Sequence, residues 1–101
     1  MKKVYMIIEI NVKNQEMYSQ YIKKVPQIIK KYGGKYIVRG GKISSFACSN
    51  LPDRVIIIEF ESEENLKQCF NSQEYLAVAP LRENSTESRI IIVDGYSNCP
   101  C

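Results

Sequence analysis

A chain of 101 residues with 45% hydrophobic and 25% charged side chains has the composition of one globular domain, which excludes disordered and fibrous classes. Its net charge of +3 comes from lysines spread among acidic residues, so the surface is not typical of a polyanion-binding protein. No apolar run approaches the roughly 20 residues of a membrane span, and the four cysteines lack the spacing of a disulfide framework. We therefore expect a cytoplasmic protein with reduced thiols and no membrane association.

Two periodicities define the first elements. Alternating apolar residues predict a strand over residues 4–11. From Asn14 the apolar spacing changes to that of a helix, whose buried stripe ends at Tyr32. Asn14 is placed to cap this helix, and Gly33 is placed to end it in a left-handed turn. Pro26 lies inside the helix, where its missing backbone donor predicts a kink or a break.

Two glycine pairs bracket the second strand, which is predicted over residues 36–39. Gly33-Gly34 is interpreted as the stop of the preceding helix. Gly40-Gly41 predicts a bulge or a bend, or it clears space beside Arg39. Residues 42–47 are expected to continue as extended chain.

The second half of the chain repeats the pattern of strand, helix and strand. Residues 54–61 form a strand that is apolar on both faces and must be covered on both. Ser62 is placed to cap a helix, and residues 72–83 predict a short irregular helix. Residues 89–93 form the last strand, and residues 97–101 are expected to be a flexible tail.

The order of these elements is the split βαβ pattern of ferredoxin-like folds. We predict an α+β fold, βαββαβ, with a four-stranded antiparallel sheet in a single domain over residues 1–96. Such a fold places its helices on one face of the sheet, and here the other face is rich in isoleucine. An apolar face of that size predicts a homodimer packed sheet to sheet.

Several segments resemble an uncharacterised bacterial family, labelled domain of unknown function 1330, in the dimeric α+β barrel superfamily. The matching segments are, in order, residues 32–41, 52–60, 72–75, 81–82, 88–89 and 94–95. Leu51 stands where the family often has an aromatic residue, and Cys69-Phe70 replaces an aromatic pair. The resemblance spans residues 3–96 and implies a dimeric α+β barrel, but no settled activity.

Glu59 is the candidate catalytic residue, because alternation places it on one face of a strand that we expect to be central. Burial there would raise the pKa of its carboxyl towards the range of a general base. The alternatives are a structural salt bridge with Arg39, Arg54 or Arg89, or a strand-end position that reaches water. The structural alternatives are favoured, since ion pairs also perturb pKa values.

Arginines and tyrosines are the candidates for ligand binding, in a pocket between the helices and the sheet. Arg39, Arg82 and Arg89 have the planar guanidinium that suits the carboxylate of a small acid. Tyr36 and Tyr75 can offer hydroxyls to the same ligand. The competing interpretation is that these arginines lie on the surface or at a dimer contact, and that the tyrosines belong to the core.

The absence of histidine from the sequence excludes histidine triads, haem ligation by histidine and most zinc sites. We expect neither a metal nor an organic cofactor, and we assign Cys99 and Cys101 to the mobile tail. Nucleic-acid binding is disfavoured, because the third strand lacks the motif of RNA-recognition modules. The predicted function is that of a small-molecule binder or a cofactor-independent enzyme for a small acidic or aromatic metabolite. The alternative is a non-catalytic ligand-sensing or structural homodimer.

Overall fold

The computed structural model describes residues 3–96, which form a four-stranded antiparallel sheet and three helices. In chain order the elements are β1 (Val4–Val12), α1 (Gln15–Lys31), β2 (Lys35–Arg39), β3 (Arg54–Phe60), α2 (Glu63–Phe70), α3 (Gln73–Glu83) and β4 (Thr86–Asp94). The strand order in the sheet is β2-β3-β1-β4. The predicted α+β fold is therefore confirmed. The tail predicted over residues 97–101, with Cys99 and Cys101, lies outside the described residues.

Both ends of α1 form as the sequence predicts. The side-chain oxygen of Asn14 accepts a hydrogen bond of 3.0 Å from the backbone N–H of Met17. Gly33 follows the helix with a φ of +83°, a conformation that glycine adopts without steric strain. Of the kink or break predicted at Pro26, the break does not occur, because buried residues before and after it, such as Tyr21 and Ile29, hold both halves on the core.

The core lies between the helices and one face of the sheet, which we call the inner face. All three helices contribute buried side chains to it, and α1 packs directly against α3. The strand residues of the inner face alternate with exposed or half-buried ones, as a period of two requires. Their buried members in the two central strands are Val4, Met6, Ile8, Ile10, Ile56, Ile58 and Phe60.

The strand β2 contains an irregularity that hydrophobic alternation does not reveal. Its pairing with β3 shifts register at Ile37. Residues three apart on a regular strand face opposite sides of the sheet. One inserted residue between them brings the second residue to the same face as the first. Tyr36 and Arg39 therefore both lie on the inner face. The bulge is at Ile37, and Gly40 forms a bend after the strand.

Residues 42–47, expected as extended chain, pair with no strand of the sheet described here. The start of the last strand differs from the sequence prediction. The last strand begins at Thr86 instead of residue 89, because its ladder with β1 continues to the pair formed by Val12 and Thr86. This difference arises from pairing between strands that are distant in the sequence.

The opposite side of the sheet, which we call the outer face, carries the alternate apolar residues of the strands. Ile7 and Ile57 are half-buried there, and Ile91 and Val93 on the edge strand are 47% and 45% exposed. The second apolar face that the sequence predicts is therefore present. Within residues 3–96, no helix combines the length and the apolar character needed to cross a membrane.

Candidate functional site

A cavity of about 320 Å³ lies between the inner face and the helices α1 and α3. Most of its wall is apolar or aromatic, and the volume is within the range of small-molecule sites. The charged residues on the wall are Arg39, Arg54, Arg82 and Glu83. Because three of these four side chains are cationic, the cavity is electropositive.

The structure brings four of the six predicted site residues to this cavity. They are Tyr36, Arg39, Tyr75 and Arg82. The other two, Glu59 and Arg89, lie on the outer face, because they alternate with the inner-face residues of β3 and β4. Arg89 is exposed and lies opposite Glu9 in the register between β4 and β1. The predicted set of six residues is therefore divided by the sheet.

Glu59 has partners that stabilise its charged form. The hydroxyl of Tyr5 donates a 2.8 Å hydrogen bond to Oε2, and the Nζ of Lys3 lies 3.6 Å from Oε1. The hydrogen bond from Tyr5 lowers the pKa of Glu59, and the nearby lysines lower it further against the effect of desolvation. The raised pKa expected for this carboxyl is therefore wrong. Its ion pair is with a lysine and not with one of the three arginines considered.

One side of the cavity, towards β4, is organised by Arg82. Its Nε donates to the hydroxyl of Tyr75 at 3.1 Å, and its Nη1 donates to the Oγ of Ser88 at 3.0 Å. Its Nη2 lies 3.8 Å from the carboxylate of Glu83, and the hydroxyls of Tyr75 and Tyr21 are 3.0 Å apart. We call these five residues the Arg82 network. The Nε and Nη1 of Arg82 are therefore hydrogen-bonded, and its Nη2 takes part in an ion pair.

Two tyrosines of the cavity wall, Tyr21 and Tyr36, are protonated donors at neutral pH. Burial raises the pKa of Tyr21, and the neighbouring hydroxyl of Tyr75 raises it further. Burial raises the pKa of Tyr36 to about 12. The hydroxyls of Tyr21 and Tyr75 share one hydrogen bond, so one of their two protons remains for an acceptor in the cavity.

The other side of the cavity, towards β2 and β3, contains Arg54, Tyr18 and Arg39, which we call the Arg54 cluster. Tyr18 is completely buried, and its hydroxyl has no hydrogen-bond partner among residues 3–96. The Nε of Arg54 is also buried, and it too lacks a partner in the described part of the chain. The Cζ of Arg54 lies 5.6 Å from the centre of the Tyr18 ring. From the sequence, Arg54 is a candidate only for an ion pair with Glu59.

Arg39 is held in the cluster by a backbone carbonyl of α1 that Pro26 leaves without its helical donor. Proline has no backbone N–H, so the carbonyl of Ile22, one turn earlier, lacks its usual helical donor. The Nη2 of Arg39 donates to that carbonyl at 3.2 Å. Its guanidinium also lies 5.1 Å from the centre of the Tyr36 ring, within the range of a cation–π contact. The proline in α1 thus helps to place an arginine of β2 at the cavity.

Gly40 leaves the space that the Arg54 guanidinium occupies. A Cβ at Gly40 would lie 2.6 Å from Nη2 and 3.0 Å from Cζ of Arg54. Gly40 also has a φ of +71°, which disfavours any residue with a side chain. The interpretation that this glycine pair clears space for an arginine therefore applies to Arg54 and not to Arg39. The signal in the sequence was the glycine, but its partner is remote along the chain.

The cavity wall offers few groups for nucleophilic or basic catalysis. Its sole carboxylate within residues 3–96 belongs to Glu83, which is exposed and paired with Arg82. The nearby thiol of Cys69 is buried, and burial raises its pKa to about 12. Residues 3–96 contain no cluster of three histidine, cysteine, aspartate or glutamate side chains that could hold a metal ion. The chemistry that the site offers is cationic and phenolic hydrogen-bond donation.

Solved structures with the same fold include proteins with and without a described activity. The RPA0582 protein of unknown function from Rhodopseudomonas palustris is 16% identical, with a TM-score of 0.80 over 95% of this chain and 84% of its own. The cofactor-independent oxygenase SnoaB from Streptomyces nogalater is 8% identical, with a TM-score of 0.66 over 99% of both chains. A putative antibiotic biosynthesis monooxygenase from Caulobacter crescentus is 11% identical, with a TM-score of 0.68 over 95% of this chain and 92% of its own.

At these identities the similarity establishes the fold alone, which is the ferredoxin-like α+β fold of dimeric α+β barrel proteins. The sequence matches no curated protein. The profile of one family matches residues 3–96, which is almost the entire chain. The chain belongs to that family, domain of unknown function DUF1330.

Proposed function

We propose that the protein binds a small organic acid with an apolar or aromatic body in the cavity between the inner face and the helices. The observation that carries this proposal is the presence of three arginines and a single glutamate on an otherwise apolar and aromatic wall. A guanidinium group matches the geometry of a carboxylate, and its attraction is stronger where water is excluded. The apolar wall suits the body of the same ligand.

The arrangement of the aromatic rings supports a planar ligand. Tyr18 and Tyr21 are stacked, with ring centres 6.1 Å apart, and Phe70 meets the edge of Tyr75 at 4.6 Å. Rings in these arrangements favour a further aromatic group through offset-stacked or edge-to-face contacts. The proposal therefore favours aromatic acids over aliphatic acids of equal volume.

A binding screen with localisation by NMR tests this proposal. The probes are benzoate, 2-naphthoate and cyclohexanecarboxylate, with binding measured by calorimetry and located on protein labelled at isoleucine methyl groups. We expect the aromatic acids to bind more tightly and to shift the resonances of Ile8 and Ile58, which line the cavity. Ile7 and Ile57, on the outer face, are matched internal controls and stay unchanged. No binding by any of the three acids would contradict the proposal, as would shifts confined to the outer face.

Catalysis without a cofactor is the second candidate function. Its support is that an electropositive cavity with protonated tyrosines stabilises the anionic form of a bound phenol or enol. SnoaB, which has the same fold, is described as a cofactor-independent oxygenase. The test is oxygen uptake by the metal-free protein with acidic naphthols that bind. Binding without oxygen uptake or any other turnover would favour the ligand-sensing alternative.

We also propose that the protein is a homodimer in which two outer faces pack sheet to sheet. The support is the set of half-exposed apolar side chains there, including Ile91 and Val93, in a fold typical of dimeric barrels. Sedimentation at micromolar concentration tests it. We expect Ile91→Lys to give a monomer, whereas Leu76→Lys, at a similarly exposed site on α3, leaves the dimer intact. A monomeric parent protein would contradict this part of the proposal.

A cytoplasmic location belongs to the same proposal. It is supported by two free thiols in the part of the chain that the structure describes, at Cys48 and Cys69. Cys48 is exposed, so an oxidising compartment would leave it open to intermolecular pairing. Fractionation of the producing cells, followed by detection of the protein in each fraction, tests the location. Recovery in an extracellular fraction would contradict it.

A further inference from the structure

We propose that the Arg54 cluster is the subsite for the carboxylate head group of the ligand, with Arg54 and Tyr18 donating to it directly. In this arrangement the ligand is an aromatic monocarboxylate, its ring lies along the apolar wall, and Arg82 binds no part of the head group. The inference rests on the proposed function and adds to it the residues that recognise the charge.

The two unpartnered donors of the cluster carry this inference. The hydroxyl of Tyr18 and the Nε of Arg54 are both buried, both belong to residues on the cavity wall, and neither has a partner within residues 3–96. A buried donor without an acceptor destabilises a folded protein, so native structures retain very few of them. An acceptor with two oxygens can accept hydrogen bonds from two such donors on neighbouring side chains. A carboxylate has two such oxygens.

The cluster is also electrostatically suited to an anion. Burial raises the pKa of Tyr18, although the charges of Arg54 and Arg39 lower it, so the hydroxyl keeps its proton to donate. Tyr18, Arg39 and Arg54 all line the cavity, and the Cζ of Arg54 lies 5.6 Å from the centre of the Tyr18 ring. Their positive charges have no carboxylate partner among the residues described. A bound anion would supply the missing countercharge.

Contacts on either side fix the position of the Arg54 guanidinium. It lies over the Tyr18 ring, and a Cβ added at Gly40 would come within 2.6 Å of its Nη2. Arg82 also lines the cavity, but its Nε and Nη1 already donate to Tyr75 and Ser88, and its charge is paired with Glu83 at 3.8 Å. The two buried donors that lack any partner within residues 3–96 belong to the Arg54 cluster, and we place the head group there.

The surroundings favour a monocarboxylate over a dianion. Beyond the cluster, the wall towards β3 consists of apolar residues such as Ile8, Ile56 and Ile58. Burial of a second negative charge against them would be unfavourable without further donors. Arg39 is exposed and already donates to the carbonyl of Ile22, so it contributes charge more than free donors. A single carboxylate satisfies the two unpartnered donors and leaves the rest of the ligand apolar.

Calorimetry with a matched acid and amide tests the subsite. The probes are 2-naphthoate and 2-naphthamide, which have the same ring and differ in the charge of the head group. We expect the parent protein to bind the acid more tightly, and Arg54→Met to weaken binding of the acid by roughly 10- to 100-fold with little effect on the amide. For Tyr18→Phe the expected loss is about 3- to 10-fold, again for the acid alone. Arg89→Met, on the outer face, is the matched control and binds both probes like the parent.

A measurement on the parent protein makes the test independent of any variant's folding. In protein labelled with ¹⁵N, the Nε–H resonance of Arg54 should shift on addition of 2-naphthoate and remain in place with 2-naphthamide. Equal affinity for the acid and the amide would overturn the subsite while the proposed cavity ligand stands. Acid binding that Arg54→Met leaves unchanged would also overturn it. If neither probe binds, both the subsite and the proposed function fail.

Discussion

The two sides of the cavity contain the same kinds of residue, an arginine beside tyrosine, and differ in how their donors are used. Towards β4, the Nε and Nη1 of Arg82 are hydrogen-bonded, its Nη2 takes part in an ion pair, and the hydroxyls of Tyr75 and Tyr21 bond to each other. Towards β3, the Nε of Arg54 and the hydroxyl of Tyr18 have none among residues 3–96. The role of an arginine is therefore set by its neighbours. Mutual hydrogen bonds and ion pairs in the Arg82 network stabilise the fold, whereas the buried donors of the Arg54 cluster lack partners within residues 3–96 and suit a ligand.

The largest effect expected from this comparison is that of Arg82→Met. The substitution removes two hydrogen bonds from a charged donor and leaves the Oγ of Ser88 without its partner, so we expect a loss of about 2–3 kcal/mol in the free energy of unfolding. Arg54→Met should change that free energy by less than about 0.5 kcal/mol, because it removes no such bond within the described chain. Urea denaturation measures both. Equal losses from the two variants would remove the distinction between the two sides.

Gly40→Ala should have the next largest effect and should act on the Arg54 side. The variant combines an unfavourable positive φ with a contact at 2.6 Å to Arg54, so we expect about 1–2 kcal/mol of destabilisation and weaker binding of aromatic acids. Gly33→Ala is the matched control, since its φ is +83° but nothing lies within 4 Å of the added Cβ. It should be destabilised by the backbone strain and bind normally. Equal loss of binding in the two variants would assign the effect to strain.

The pair Tyr21→Phe and Tyr18→Phe makes the same chemical change one helical turn apart. Tyr21→Phe removes the hydrogen bond to Tyr75, and we expect it to lose about 1 kcal/mol of stability. Tyr18→Phe removes a buried hydroxyl that has no partner within residues 3–96, so the ligand-free protein should be unchanged or slightly more stable. Thermal unfolding in the absence of ligand measures both. Destabilisation of Tyr18→Phe to the same extent would show that its hydroxyl is already satisfied.

The smallest effect is expected outside the cavity, at Glu59. The hydrogen bond from Tyr5 lowers its pKa below the ordinary value of 4.5, so its contribution to stability is complete above that pH. The contribution should be lost as the pH falls through the lower pKa of the folded state. Urea denaturation from pH 6 to pH 3 should therefore show a weaker pH dependence for Glu59→Gln than for the parent. Identical profiles would show that Tyr5 does not stabilise the charged carboxylate.

Most of the fold could be predicted from local patterns. The alternation in β1 and β3, the helical spacing after Asn14 and the glycine at the end of α1 depend on neighbours a few residues away. The exceptions arise where distant strands pair, as in the bulge at Ile37 and the early start of β4 at Thr86. A local pattern contains no information about the register with a remote partner.

The candidate site was predictable in its residue types but only partly in its members. Alternation correctly grouped Glu59 with Val55 and Ile57, yet it could not show that the helices cover the opposite face. Arg54 looked like a possible ion-pair partner, and only the fold placed it beside Tyr18 and against Gly40.

The sequence by itself determined the elements, their order and the presence of two apolar sheet faces, because periodicity and capping act over a few residues. The tertiary structure alone decided which polar groups meet. The contacts between Tyr5 and Glu59 and between Tyr21 and Tyr75 each join residues 54 positions apart. Hydrogen-bond satisfaction is a property of such remote pairs, and for this reason the distinction between the Arg82 network and the Arg54 cluster exists only in the folded chain.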